Sequence, residues 1–587
     1  MWKFFRSMIV TCAGALANAR AAFRPPKPAP TMTTLDLLLM LLLPTYIYKI
    51  HAMADGSRTS SVVSPSYRRG WVRWALPSAA DLIFIAILAA LVFTPLSVKL
   101  LNDAGIGWHI RTGQWILSTR TVPHADPFSS TMGGKPWFAW EWLYDIVVGR
   151  LDSITGLNGV AWFTALVIAA TFAWLFRLLI ARGASLPAAL VLVLLALAAS
   201  TIHFLARPHV LSWLFVVAWL WILDSTELTF SSLNRLDQRW LWVLPVLTMV
   251  WANVHGGFLL GFVLLACYWF GSLWTWLSTK ELRIEESLLK IAAGKRTRML
   301  ALAGFASLLV SLLNPYGWNL HGHIFSYLSD RFLMDHIEEF HSPNFHDLAP
   351  KCFLVLMVLC VIVVIAHGRK LGVGQLLVFL FAMYAGLYAS RNIPIAALML
   401  ATITGPLIPR LHVARDFFIR METVESELRG HVWPILALLL TFGIAMNGGR
   451  VGSSQIMDAH FDPARMPVGA VTFLGTREGL SPILSPDYWG GYVIYRLYPN
   501  ARVVVDDRHD LYGDEILKSY LRTMHLERGW EDFLEQQNPS CMLLPQHSPL
   551  ATIVGKTPDW RSIYADDVAV VFVRDREHLP AAVRNRR

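Results

Sequence analysis

The chain has 587 residues, 55% of them hydrophobic and only 16% charged, with a mean hydropathy of +0.45; this excludes an ordinary soluble globular protein and points to a polytopic membrane protein. The net charge of +10 does not imply nucleic acid, because Lys and Arg fall in short clusters between apolar runs, as the positive-inside rule arranges them. Five scattered cysteines show neither a metal-type spacing nor a disulfide framework.

Residues 1–81 read as a basic cytoplasmic or interfacial extension. Their one leucine run, Leu37 to Leu43, is too short for a bilayer core that needs about 20 apolar residues, and no clean small-residue cleavage site follows it. Residues 82–447 read as a transmembrane domain of about 11 helices. The apolar runs lie near Leu82–Leu101, Leu157–Ala181, Leu186–Leu205, Val210–Leu223, Leu241–Val254, Phe258–Leu277, Met299–Leu313, Cys352–Ala366, Val373–Ala389, Ile393–Ile408 and Val432–Met446. Many of the 24 tryptophans stand at run ends, where an amphipathic ring prefers the headgroup level.

Orientation follows from the connections. Arg58, Arg68, Arg69 and Arg73 precede the first run; Lys280, Arg283, Lys290, Lys295, Arg296 and Arg298, then Arg369 and Lys370, then Arg410, Arg415 and Arg420 occupy later loops. Alternating spans put all of these on one side, the cytoplasm. The opposite face receives a first outer loop (102–156), the links Ala206–His209, Asn253–Gly257 and Ser390–Asn392, the long loop from Asn314, and everything after Met446. Those outer links concentrate His, Asn, Arg, Gly and Pro, and ionisable groups at span ends mark functional pockets, so Arg207, His209, His255 and Arg391 direct attention to that face.

The first outer loop is the densest of these segments. Asp103 stands directly beyond the first run, followed by Trp108, His109 and Arg111 in a predicted short helix. After turns at Asp126-Pro127 and Gly133-Gly134, Trp137–Leu151 reads as an amphipathic helix at the interface. Glu141 and Asp145 are four apart and share one face; Glu141, framed by tryptophans, reads equally as a site residue or a solvated one, whereas Asp145 reads as a solvated side chain. The five histidines between His321 and His346 are too irregularly spaced to predict a metal site.

The run from Asp103 through Trp108-His109, Asp126-Pro127-Phe128, Pro136-Trp137 and Glu141-Trp142, with WANVHGG (from Trp251), LNPYGW (from Leu313), SRNIP (from Ser390) and VVVDDRHDLYG (from Val503), resembles the GT-C superfamily of integral-membrane glycosyltransferases. The resemblance implies a polyprenyl-phosphate-linked sugar as donor, bound from the outer leaflet, and an acidic residue at the start of the first outer loop as general base or acceptor-orienting group; Asp103 holds that position. It also implies a second carboxylate two residues later and a second tryptophan, where this chain has Gly105 and Gly107. A lone carboxylate is a poor divalent-cation ligand set, so neither a metal nor another cofactor is expected.

Residues 448–587 read as a small α/β domain on the periplasmic side, a parallel sheet finished by a hairpin. Its DDRHD segment is expected to pin a loop, dock on the membrane domain or hold an acceptor, and Trp489 is either a packing residue or a platform for a sugar. The whole reads as a bacterial inner-membrane glycosyltransferase. Asp103 is catalytic; Trp108, His109, Arg111, Glu141, Arg207, His255 and Arg391 bind substrate. Its partners are the bilayer, a polyprenyl-phosphate-linked sugar and a glycan, lipid or protein acceptor. A transporter or flippase of a lipid-linked glycan and a non-catalytic scaffold are the rival readings.

Overall fold

The computed structural model describes residues 72–227, 237–409, 415–428 and 430–574. The expectations for Leu37–Leu43, for Arg58, Arg68, Arg69 and Arg410, and for most of the extension 1–81 lie outside the described residues. The first run forms α1 (Ala79–Phe93), and the first outer loop contributes α2 (Ile106–Thr119) and α3 (Trp142–Thr155). Next come α4 (Leu157–Ala181), α5 (Leu186–Ser200), α6 (His209–Ser225), α7 (Val243–Ala252), α8 (Leu259–Ser278) and α9 (Ile284–Ser311). The loop from Asn314 holds α10 (Trp318–Ser329), and α11 (Leu348–His367), α12 (Val373–Tyr388), α13 (Ile393–Thr404), α14 (Arg415–Glu427) and α15 (Val432–Met446) complete the bundle. Each of the eleven apolar runs thus carries a helix. Arg73–Phe93, Leu157–Ala181, Leu186–His203, Gly256–Ser278 and Leu348–Lys370 are long and apolar enough to cross a membrane, and His209–Ser225, Val373–Tyr388 and Val432–Met446 are shorter apolar helices.

The bundle has two chemically distinct ends. At one, acidic side chains of α14 satisfy the free amides that begin other helices: Glu425 accepts from the backbone of Ala79 (2.7 Å) and Ala80 (3.3 Å), and Glu422 accepts from Leu186 (3.1 Å). At the same end Arg182 pairs with Asp224, and Arg296, fully buried, pairs with Glu227 at 2.9 Å. Arg296 therefore does not belong to a basic loop, as its sequence context implied. α9 runs unbroken from Ile284, and this guanidinium turns inward to a carboxylate because a buried charge requires one.

The other end gathers the links predicted to share a face. The backbone of Ala206 donates to Leu100 (2.7 Å), Leu143 to Asn253 (3.2 Å) and Ser390 to His341 (2.9 Å). Asn253, in the break between α7 and α8, accepts from Trp142 Nε1 at 2.8 Å and donates to the carbonyl of Leu313 at 2.9 Å, joining three connections through one amide.

The C-terminal sheet has strand order β1 (Ile483–Leu484), β2 (Cys541–Pro545), β4 (Ala569–Arg574), β3 (Trp560–Ala565). Only the β1–β2 pair is parallel; β4 runs antiparallel to both β2 and β3. The sheet is mixed rather than parallel with a terminal hairpin, because β4 of the hairpin inserts beside β2. Beyond β1, Val503 bridges Ile483 on one side and Ser129 of the first outer loop on the other, so that loop extends the sheet of the C-terminal region.

Glycines set how closely these parts approach. A Cβ on Gly107 would lie 2.3 Å from the Gly491 carbonyl oxygen; one on Gly491, 2.3 Å from that of Ala104; one on Gly113, 1.8 Å from that of Asp145. α2 therefore rests with backbone contact on both α3 and α16 (Asp487–Leu497). Gly491→Ala is expected to cost about 1–3 kcal/mol through overpacking. A lower melting temperature in detergent, with faster proteolytic release of the C-terminal region, checks this; an unchanged melting curve would contradict it.

Candidate functional site

Asp103 leaves the end of the first span and folds back so that its Oδ1 accepts from the backbone amide of Gly105 at 2.8 Å. In that pose it faces Arg207, which sits in the short link before α6. Arg207 donates from Nε to Asp103 Oδ2 at 2.8 Å and from Nη2 to Oδ1 at 2.7 Å, a two-pronged pairing suited to a planar guanidinium. Nη2 also donates to Oδ2 of Asp507, at 2.5 Å, and the other oxygen of Asp507 accepts from Trp108 Nε1 at 3.1 Å. Burial works to raise the Asp103 pKa, but the charge and hydrogen bonds of Arg207 outweigh it and the carboxyl titrates below its usual value. Asp507 goes the other way: burial first, then the charges of Asp103 and Asp506, push it up to about 6 against the pull of Arg207.

A second, more deeply buried chain begins beside this cluster. His109 stacks on Trp108 with ring centroids 3.6 Å apart, and its Nδ1 lies 2.6 Å from Asp145 Oδ1, both side chains being inaccessible to solvent. The solvated reading of Asp145 is thus overturned: the close α2–α3 contact at Gly113 seals that face of α3. Burial, with the Glu141 charge behind it, raises the Asp145 pKa, and burial together with nearby cations, Arg207 foremost, lowers that of His109. On the far side of the imidazole, His109 Nε2 is 3.6 Å from Glu141 Oε2, and Glu141 Oε1 is 3.8 Å from His255 Nε2. Glu141 precedes α3 rather than lying within the helix expected over Trp137–Leu151, and burial pushes its pKa up to about 8.

The proton on His255 can be placed from its neighbours. Trp251 Nε1 donates to Ser212 Oγ (2.8 Å), leaving that hydroxyl to donate to His255 Nδ1 (2.8 Å), which also accepts from the backbone amide of Gly257 (3.1 Å). With Nδ1 accepting, Nε2 carries the hydrogen and points toward Glu141. Arg391 stands behind, paired with Glu339 at 3.2 Å over the ring of Phe340, and its charge acts on both Glu141 and His255. His209 turns aside to the carbonyl of His203 at 2.9 Å.

Of the residues singled out in the sequence, Asp103, Trp108, His109, Glu141, Arg207 and His255 converge, with Arg391 at their edge. Arg111 does not join them. One helical turn from Trp108, it donates to the Tyr495 carbonyl at 2.7 Å and to Gln114 at 2.9 Å, and so belongs to the α2–α16 contact. Trp489 is buried, donating to the Arg465 carbonyl at 3.0 Å, and offers no platform. The DDRHD segment divides its labour. Arg508, held by both oxygens of Asp506 and by Asp126 at 2.8 Å, lies 4.6 Å above the Trp137 ring and pins the segment to the first outer loop, whereas Asp507 enters the cluster. Asp507 and Asp145 are the members that sequence reasoning left out. The run of acids at 506–510 hinted at the first; nothing local marks the second.

No protein-family model matches the sequence, and no curated protein does. Solved structures do match in shape. An oligosaccharyltransferase of Archaeoglobus fulgidus, tethered with an acceptor peptide containing the NVT sequon, superposes with a TM-score of 0.50 at 12% identity, over 88% of this chain and 75% of that one. ArnT from Cupriavidus metallidurans, bound to undecaprenyl phosphate, gives 0.50 at 12% identity, over 86% of this chain and 98% of that one. The chain has the GT-C fold.

Several buried polar atoms of the cluster have no hydrogen-bond partner: His109 Nε2, Asp145 Oδ2 and the Tyr144 hydroxyl. Among the described residues, no three His, Cys, Asp or Glu side chains are grouped so as to hold a metal ion. The raised pKa of Glu141 carries a consequence for the stability of the fold. A carboxyl that holds its proton more tightly folded than unfolded loses stability as pH rises, here from about 4.5 to about 8, and the loss is complete above that. Glu141→Gln imitates the protonated acid. Its melting temperature relative to wild type should rise steadily between these limits and level off above; a constant difference across the range would contradict the assignment.

Proposed function

We propose that the chain is a glycosyltransferase that moves a sugar from a polyprenyl-phosphate-linked donor to an acceptor at the outer face of a bacterial inner membrane. The observation that carries this reading is the pairing of Asp103 with Arg207 in a GT-C fold: one carboxylate able to take a proton, held against one cation able to take a phosphate. The fold neighbour bound to undecaprenyl phosphate and the one tethered to an acceptor peptide support the kinds of donor and acceptor.

The chemistry follows from charge. As the acceptor oxygen bonds to the sugar's anomeric carbon, the bond from that carbon to the lipid phosphate breaks, and negative charge builds on the departing phosphate oxygen. Arg207, with Arg391 behind it, stabilises that charge. A phosphate arriving on Arg207 offsets part of its positive charge, so that Asp103, still held beside it, becomes a stronger base for the acceptor's proton. Glu141, protonated near neutral pH, and His255, with hydrogen on Nε2, present donors to sugar hydroxyls. Trp108, with His109 stacked on it, packs against this cluster. The reading calls for no cofactor.

Asp103→Asn is expected to lower transfer of a lipid-linked sugar by about 10²–10⁴-fold, the usual contribution of a positioned base, while the protein still accumulates in the membrane. Transfer measured with radiolabelled lipid-linked sugar donors in membranes checks it. Full activity in the variant would remove the base, and transport without transfer in the wild type would favour the flippase reading.

A further inference from the structure

Asp507 reaches Arg207 from some 300 positions further along the chain, and the space it fills is the space that Gly105 leaves. A Cβ at position 105 would lie 2.2 Å from Arg207 Nη2 and 2.3 Å from Asp507 Oδ2, so any side chain there would push these two side-chain ends out of their present positions. The aspartate is also aimed: Trp108 Nε1 holds its second oxygen, and the Arg508 clamp immediately after it fixes the backbone to the first outer loop. Arg207 consequently faces two carboxylates. Asp103 occupies its Nε and Nη2 edge, and Asp507 takes a second bond on Nη2.

Two carboxylates on one guanidinium leave a net negative cluster, and a phosphate cannot add to it without meeting repulsion. One carboxylate has to yield. Asp103 is bound by two prongs and by the Gly105 amide, whereas Asp507 is bound to Arg207 through a single nitrogen. We propose that Asp507 is a positioning residue, the counter-ion by which the C-terminal domain holds Arg207 in register and which the phosphate of an incoming lipid-linked donor displaces. This rests on the glycosyltransferase reading and adds to it a competitor built into the fold. The groups facing Asp507 are Arg207, Asp103, Asp506 and His509; His509 is itself paired with Asp487 at 2.7 Å. Because burial raises the Asp507 pKa to about 6, the competitor is charged above that pH and neutral below it.

The test uses the full chain in detergent, with undecaprenyl phosphate and, in parallel, inorganic phosphate as titrants, in wild type and Asp507→Asn at about pH 5 and about pH 8. At the higher pH the variant should bind the lipid phosphate about tenfold more tightly than wild type, the size of one charge-assisted hydrogen bond no longer broken, and the gap should close at the lower pH. Comparison within each pH cancels the ionisation of the ligand itself. A gain confined to the lipid, or shared by inorganic phosphate, supports the proposal alike, and separates headgroup recognition with its tail from recognition of phosphate alone. Equal affinities at the higher pH, weaker binding by the variant, or a gap that does not change with pH would overturn it.

Should Asp507→Asn fail to fold, wild type alone suffices. Its affinity for a short-chain phosphodiester, whose charge is constant over this range, should fall as pH rises through about 6; constancy would overturn the proposal. Wild type that binds no undecaprenyl phosphate at either pH would sink the donor assignment as well. Binding that Asp507→Asn leaves unaltered sinks only the role of Asp507.

Discussion

A guanidinium withdrawn from water must find its charge partners in the protein, and the Arg207 side chain finds them in two carboxylates that the sequence places far apart. Asp103 comes from the end of the first span, Arg207 from a link between two later helices, and Asp507 from the C-terminal region. The pairing therefore ties the first outer loop, the bundle and the C-terminal domain to one atom group. It also bears on the proposed chemistry, because the acid and the cation assigned to sugar transfer are held in contact, each damping the charge of the other.

That arrangement demands close approach of main chains. Gly105 leaves room for the ion pair itself, while Gly107 and Gly491 let α2 and α16 touch backbone to backbone, and Gly113 does the same for α2 and α3. The C-terminal region is consequently part of the site's wall and not an appendage. Its sheet continues through Val503 into residue 129 of the first outer loop, and Arg508 links Asp506 with Asp126 across the same seam. The glycines at 105 and 107, which depart from the pattern of the resemblance, are the positions where this neighbour enters.

The histidines show how burial converts ordinary side chains into a defined proton arrangement. His255 accepts at Nδ1 from two donors and so keeps its hydrogen on Nε2, and His109 faces Asp145 on one nitrogen and Glu141 on the other. With these groups excluded from solvent, Glu141 holds a proton that a surface carboxylate would lose, and burial moves Asp145 in the same direction.

The positions of the apolar helices and the end at which polar links collect were legible in the sequence, because a helix in lipid must satisfy its own backbone and show a long apolar surface, and both requirements are local. Asp103, Arg207 and His255 could be singled out for a similar reason, an ionisable group at a span end being costly enough to stand out, whereas Glu141 was marked by the tryptophans that frame it. Partnership was not legible. Glu141 and Asp145 have the same helical spacing whether the face they share meets water or His109, Arg296 reads as a loop cation until Glu227 is seen beside it, and Arg111 carries the same charge as Arg207 yet turns to the neighbouring helix. Which cation meets which carboxylate, and that Asp507 fills the space left by Gly105, depend on contacts across hundreds of residues. Only the tertiary structure decides these, because pairing energy is set by distance in space and by exclusion of water, neither of which spacing along the chain encodes.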